Sequence, residues 1–352
     1  MHDASSLTDP LLVHLPPFPG QDIVPQLPPF LHDLPVASIK YRWSPYSDPS
    51  SNVNASTPLH WPTPVHDASF AMAWLLKNLS PPGTSRRDIY VYGSYLGASL
   101  ATSLALTESH SHARFGVRGL IAYNGIFNWT MFLPDHRVNG LWGRAKEPRL
   151  PSTPFKDSHL HKIHENVPAL FHKPDNLFDP FASPSLFFHC PGLVLPESFS
   201  MTEEDAALND NITSDENMAS TLVKAPRMSH LVFPPRHTTL KIPDTLIVYE
   251  SGPPPAVGNA DGKSSAKTTR RRTKSDGHSF RSQARELVGL MRRSVDMVEL
   301  KERVKWDGPD IDSWAEEATR RVQMVDAGPD TGNMEPSDAA REIISSWIGD
   351  RV

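Results

Sequence analysis

One stretch, residues 88–106, constrains the fold more than any other part of the chain. Asp88–Gly93 is a run of mainly β-branched and aromatic side chains, which is typical of a strand, and from Tyr95 onward small and apolar residues recur at helical spacing. Gly93 and Gly97 lie two residues before and two after Tyr95. Glycines at those positions relieve crowding where a buried strand turns sharply into a helix. The stretch therefore predicts a strand, a tight turn at Tyr95 and a helix.

Composition narrows the class of protein. The 352 residues are enough for one large α/β domain with insertions, and a net charge of −5 argues against a dedicated nucleic-acid binder. Cys190 is the only cysteine, so no intrachain disulfide can form, and a reducing, cytoplasmic location is predicted.

We expect no secretory signal and no membrane span, because no basic segment precedes an apolar run at the start and no apolar run approaches eighteen residues. No histidine spacing suggests a metal, and we expect no cofactor.

Strand and helix patterns alternate along much of the chain. The predicted helices are a segment beginning at Thr63, then Tyr95–Leu106, Ser279–Arg293 and Ala339–Ile348. The predicted strands are Leu11–Leu15, Val36–Trp43, Asp88–Gly93, Val117–Tyr123, Thr245–Tyr249 and Met297–Val304. Such alternation predicts an α/β fold with a mainly parallel sheet of about six strands and helices on both faces.

The alternation stops between residues 133 and 236, and this divides the chain into three parts. Residues 1–132 are predicted to form the N-terminal half of the core, residues 133–236 a partly irregular cap or lid, and residues 237–352 the C-terminal half. Within the last part, residues 256–276 are poor in apolar side chains and are predicted to be a disordered basic insert. The run Arg270, Arg271 and Arg272, with Thr273 and Ser275, predicts a kinase target or a docking strip for an acidic partner.

With these elements in place, the chain from about Leu11 onward resembles the α/β-hydrolase superfamily. The bracketing glycines Gly93 and Gly97 correspond to that family's nucleophile elbow, and the segment after residue 133 corresponds to its cap insertion. If Leu11–Leu15 matches the family's third strand, the two antiparallel strands that normally come first are missing. The resemblance implies a serine at the elbow, an acid after the next-to-last strand and a histidine after the last strand.

The chain departs from that pattern at most of the implied positions. Tyr95 stands in place of the serine, and Glu250 fits the place of the acid. His278 is the last histidine and precedes the final predicted strand, so residues 306–310 stand where the family has its histidine. The resemblance also implies backbone donors for an oxyanion: the amide of Leu96 and those of the loop after the first strand, in which Phe18 and Gly20 keep an N–H group.

Two functions follow. The preferred interpretation is a catalytically degenerate protein of this fold, in which Tyr95 plugs the former active site and the chain binds a small apolar ligand under the cap or a protein partner. The alternative is an intracellular carboxylic ester or thioester hydrolase, a serine-type enzyme that uses Ser94 or Ser99 with an imidazole supplied by His278.

Overall fold

The computed structural model describes residues 9–19, 27–43, 59–133, 136, 159–193, 228–251, 278–301, 316–330 and 334–351. Within them, six parallel strands form one sheet: β1 (Leu11–Leu15), β2 (Val36–Ser38), β3 (Arg87–Ser94), β4 (Phe115–Tyr123), β7 (Asp244–Ser251) and β8 (Val322–Pro329). Their order in the sheet is β2-β1-β3-β4-β7-β8. A separate antiparallel pair joins β5 (His189–Cys190) to β6 (Ser229–His230). The predicted six-stranded, mainly parallel sheet is confirmed.

Helices cover both faces of this sheet. They are α1 (Thr63–Asn78), α2 (Leu96–Glu108), α3 (His159–Glu165), α4 (Val167–Phe171), α5 (Phe280–Ser294), α6 (Glu317–Arg321) and α7 (Asp338–Gly349). On β3, Gly93 faces Ala101 of α2, whereas Tyr90 packs edge-on against Trp347 of α7, with ring centroids 6.0 Å apart. Because residues an odd number apart along a strand point to opposite faces, α2 and α7 lie on opposite sides of the sheet. None of the helices described is long and apolar enough to cross a membrane.

The last strand lies further along the chain than the sequence indicated. The predicted strand Met297–Val304 is wrong, because α5 continues directly into a π-helical segment, Val295–Leu300. Buried residues recur at helical spacing through Leu287, Met291 and Val295, so the apolar stripe of α5 carries on past its predicted end. The closing strand is instead β8, which pairs in parallel with β7. Residues 306–310 lie outside the described residues and do not follow the last strand.

Part of the predicted cap packs against the core. Trp43 and Trp61 lie 5.5 Å apart between ring centroids, and Phe171 of α4 contacts both, while Trp129 closes the cluster at 4.9 Å from Phe171. The Trp43 indole N–H also donates to the Leu170 carbonyl at 2.8 Å. β2 ends at Ser38, so the last five residues of the predicted strand Val36–Trp43 lie outside it, and Trp43 packs in this aromatic cluster instead. The division of the chain at residues 133 and 236 stays a prediction.

Candidate functional site

The turn between β3 and α2 has the strained geometry of a nucleophile elbow. Tyr95 occupies its apex with φ of 49° and ψ of −114°, a conformation that bulky residues rarely adopt. A Cβ atom on Gly93 would lie 2.4 Å from the Gly97 carbonyl oxygen, and one on Gly97 would lie 2.3 Å from the Pro16 carbonyl oxygen. Real side chains do not tolerate such distances from backbone atoms. Both glycines are therefore required for the strand and the helix to approach each other.

The Tyr95 side chain is fully buried in a nest of rings. Phe18 stacks on it with centroids 5.6 Å apart, and Tyr123, His159 and Phe280 meet it edge-on at 5.8, 5.4 and 5.7 Å. These rings occupy the space directly around the apex of the turn. The predicted plug is thus consistent with the packing, which gives this phenol the surroundings of a core residue.

Electrostatics keep the phenol of Tyr95 neutral. Burial raises the pKa of Tyr95 well above its usual range, and Asp330 and Glu250 raise it further, which outweighs the opposing effect of a hydrogen bond from Asn124. The Asn124 side-chain amide donates to the phenolic oxygen at 3.4 Å, a long hydrogen bond. A phenolate at this position would face two carboxylates. The group is therefore poorly suited to attack a carbonyl carbon.

The Leu96 amide, which the resemblance implies as an oxyanion donor, is already engaged. The Leu96 N–H donates to the Pro17 carbonyl at 3.1 Å, so its donor points into the loop after β1 rather than into free space. Phe18, the second predicted donor, contributes its ring to the packing on Tyr95. Gly20, the third, lies outside the described residues.

The two candidate serines lie on either side of the apex. Ser94 is the last residue of β3, is buried, and aligns with Tyr123 of β4. Ser99 lies on α2, and its hydroxyl donates to the Ile126 carbonyl, which ties the helix to the chain that follows β4. This hydrogen bond gives Ser99 a structural role.

Glu250 lies near the end of β7, where the resemblance implies an acid. It is buried, its N–H donates to Asn124 Oδ1 at 2.9 Å, and its Oε1 accepts a hydrogen bond of 3.3 Å from the Ser337 N–H at the start of α7. A helix N-terminus stabilises a carboxylate in this position. Glu250 thus joins the end of β7 to the last helix.

The residue that follows the last strand is an acid. Asp330 comes directly after β8, and its N–H donates to the Ser251 carbonyl at 2.9 Å. Because β8 runs parallel to β3, its C-terminal end lies at the same edge of the sheet as the elbow, and the charge of Asp330 contributes to the raised pKa of Tyr95. The described residue directly after β8 is thus a carboxylate, where the resemblance implies a histidine further on.

His278, the predicted source of an imidazole, packs against the ring of Phe132. Its ring stacks on Phe132 with centroids 5.3 Å apart, and burial, reinforced by His164 and His136, lowers the pKa of His278 to about 4. The imidazole in contact with Tyr95 is His159, through ring edges. Another buried imidazole, His189, lies 3.0 Å from Glu286 and belongs to a network that fastens α5 to the chain after β4.

Sequence reasoning missed Asn124, His159 and Asp330. Asn124 has a φ of 46°, a conformation that asparagine tolerates, and its position directly after a predicted strand was a usable signal. His159 begins a helix of only seven residues, which is too short to show a clear period. The predicted partner strip at Arg270, Arg271, Arg272, Thr273 and Ser275 lies outside the described residues. Where side chains are described, no cluster of three or more His, Cys, Asp or Glu residues could hold a metal ion.

Comparison with known proteins gives distant likenesses. No protein-family model and no curated protein matches the chain. Among solved structures, it is similar to an esterase from the archaeon Pyrobaculum calidifontis (13% identity, TM-score 0.46, covering 97% of this chain and 74% of that one). It is also similar to carboxyl esterase 2 from the fungus Tuber melanosporum (12%, 0.43, 97% and 76%) and to fungal esterases from Rhizomucor miehei (12%, 0.40, 97% and 73%). Because these TM-scores are below 0.5, the strand order and the elbow of this chain carry the argument about its fold.

Proposed function

We propose that this chain, which has an α/β-hydrolase-like fold, is catalytically silent at its elbow and acts as a binding protein. The observation that carries the proposal is the packing of Tyr95. Its side chain takes the place of the attacking serine, is fully buried, and is surrounded by four rings, from Phe18, Tyr123, His159 and Phe280. A substrate acyl group would need the volume that these rings occupy.

The other parts of a hydrolytic site support the same proposal. The Leu96 N–H is bound to the Pro17 carbonyl, and the residue after β8 is Asp330, with no histidine further along the sequence to act as general base. A carboxylate is a much weaker base than an imidazole near neutral pH, and it repels the anion that attack would create. Glu250 fits the fold's acid position, but no histidine follows β8 in the sequence, since His278 is the last one and precedes that strand.

The first test is labelling with a fluorophosphonate probe, which reacts covalently with activated serines. We expect no labelling of the full-length chain and no hydrolysis of p-nitrophenyl esters or acyl thioesters above the buffer rate, because neither Ser94 nor Ser99 occupies the apex of the elbow. An active serine esterase run in parallel shows that the probe is competent. Labelling that disappears in Ser94→Ala or Ser99→Ala would establish the alternative, an ester or thioester hydrolase with an atypical site.

A pair of substitutions at Tyr95 separates a packing role from a chemical one. We expect Tyr95→Ser to lower the free energy of unfolding by about 3 kcal/mol, because it removes a buried ring and leaves a cavity. Tyr95→Phe keeps the ring and removes the hydroxyl with its hydrogen bonds, among them a long one from Asn124, so a smaller loss of about 1 kcal/mol is expected. Urea unfolding measures both values. Neither variant should gain esterase activity.

The opposite result at Tyr95 would contradict the plug. If the wild-type chain hydrolysed esters and Tyr95→Phe abolished that activity without loss of stability, the phenol would be a nucleophile. The double variant Tyr95→Ser/Asp330→His supplies both a serine and the missing imidazole. If the fold still supports ester hydrolysis, this variant is where the activity would first appear. We expect little turnover even there, since the Leu96 N–H stays bound to the Pro17 carbonyl.

The ligand and the location belong to the same proposal. The sequence favours two classes of ligand: a small apolar molecule under the cap, or a protein partner at the basic strip Arg270–Arg272. The lone, partly exposed Cys190 fits a reducing compartment, and we place the protein in the cytoplasm. Fractionation of cells that produce the tagged full-length chain tests this placement.

A further inference from the structure

A cavity of about 380 Å³ is lined by residues that are distant from the elbow in the sequence. Its walls come from Phe188, from residues 230–236, from the C-terminal end of α5, and from the π-helical segment that follows together with Lys301. None of its lining residues belongs to β3, to α2 or to the rings around Tyr95. We call this cavity the α5 groove.

The α5 groove is apolar and open to solvent. Leu231, Val232 and Met297, three large apolar side chains of its lining, are 46%, 55% and 47% exposed. Phe188 lies beneath them, almost fully buried, and packs edge-on against Phe233 with centroids 5.3 Å apart. Isolated apolar side chains are common on protein surfaces, but a contiguous group that lines a concavity marks a binding site.

Positive charge gathers at the rim of the groove. Arg236, Arg293 and Lys301 line it and are exposed, and no aspartate or glutamate is among the lining residues described. Arg293 and Lys301 make no ion pair with any residue that the structure describes. The pKa of His230 is lowered, by burial first and then by the charge of Arg293, which places these two side chains close together. Exposed cations beside an apolar wall attract an anion that carries an apolar tail.

We infer that the α5 groove binds an alkyl chain that ends in a carboxylate, the chemical class of a free fatty acid. The tail would lie along Leu231, Leu290 and Met297, and the carboxylate would pair with Arg293 and Lys301 at the rim. The volume is at the lower end of the range for small-molecule sites, which suits a chain of medium length better than a folded partner. This inference does not depend on whether the elbow is silent.

Calorimetric titration of the full-length chain with octanoate, decanoate and dodecanoate, all below their micelle concentrations, tests the inference. Burial of a methylene group is worth about 0.8 kcal/mol, or roughly fourfold in affinity, so two methylenes should tighten binding by roughly fifteenfold. The gain should stop once the chain outgrows the cavity. Decanol should bind at least tenfold more weakly than decanoate, and decyltrimethylammonium should not bind.

Matched variants locate the site. Arg293→Glu/Lys301→Glu reverses both rim charges and should weaken decanoate binding by at least tenfold, whereas Lys77→Glu/Lys241→Glu makes the same change in net charge at exposed lysines outside the groove and should leave it unaltered. Met297→Ser should reduce the gain per methylene. None of these substitutions lies at the elbow, so the binding test and the fluorophosphonate test can fail independently.

Several outcomes would overturn the inference. They are no heat of binding with 1 mM dodecanoate, equal weakening by the two double variants, or equal affinity for decanoate and decyltrimethylammonium. Binding to vesicles that contain phosphatidylglycerol, without binding of free decanoate, would assign the groove to a lipid surface instead. Binding of an acidic peptide without binding of decanoate would assign it to a protein partner.

Discussion

Replacing Gly97 by alanine is expected to lower the free energy of unfolding by about 4 kcal/mol, the upper end of what one added methyl group does. The methyl group would lie 2.3 Å from the Pro16 carbonyl oxygen and 2.4 Å from that of Leu15. Those oxygens belong to the end of β1 and its loop, and Leu15 is held in register with Gly93 of β3. Because backbone atoms cannot rotate away as a side chain can, α2 must move off the sheet. Urea unfolding followed by circular dichroism measures the change.

Gly289→Ala is the matched control, and its expected effect has the opposite sign. Gly289 lies in the interior of α5, and a Cβ there would meet nothing within 4 Å. Alanine in a helix interior is favoured over glycine by about 0.5–1 kcal/mol, so this variant should be more stable than the wild type. A Gly97→Ala variant that unfolds at the wild-type urea concentration would show that the glycines do not set the approach of α2 to the sheet.

The elbow could be predicted from sequence because its signals are local. Residues 88–106 contain a buried strand, two glycines four residues apart and a helix of small residues. Each of these features is determined by steric rules that act over a few residues. The same holds for Glu250, whose position follows from the clear end of an apolar strand. Sequence patterns of this kind predicted six strands, and they placed five of them.

The rest of the site depends on contacts between distant segments, which leave little trace in local pattern. β8 was missed because Val322–Pro329 is only half-buried, with Asp326 and Gly328 interrupting its apolar run. The sequence of Met297–Val304 alternates apolar and charged side chains as a strand does, and this period-two pattern gives no sign that the chain from Val295 to Leu300 continues α5 as a π-helical segment. The engagement of the Leu96 N–H by the Pro17 carbonyl joins residues far apart in the sequence. Only the fold reveals that this donor is occupied.

Acid is expected to destabilise this protein through His14 and His278, two histidines whose pKa is lowered by burial. His14 lies fully buried on β1, between Ser38 of β2, whose hydroxyl is 3.0 Å from its Nδ1, and the ring of Tyr92 on β3. Burial lowers the pKa of His14 to about 4, and burial likewise lowers that of His278 to about 4. In the unfolded chain each has a pKa near 6.5, so between pH 6.5 and 4 the unfolded state binds protons that the folded state does not.

As far as these two histidines are concerned, the free energy of unfolding should therefore be constant above about pH 6.5. It should fall as the pH decreases from about 6.5 to about 4. The fully buried His14 should account for roughly 3 kcal/mol of that fall, and the partly exposed His278 for somewhat less. Urea unfolding at intervals between pH 7 and pH 4 measures the fall directly. Carboxylates also contribute to it, but their share cancels when a variant is compared with the wild type at each pH.

His14→Gln isolates the contribution of His14, because glutamine can still meet Ser38 and carries no titratable group. The difference in unfolding free energy between wild type and variant should shrink by roughly 3 kcal/mol from pH 7 to pH 4. His112→Gln, at an exposed turn, serves as the control for loss of an imidazole. A difference between wild type and His14→Gln that stays constant with pH would mean that the folded chain admits a proton at His14 without cost. The sheet would then have to open at β1, the strand against which the elbow helix packs.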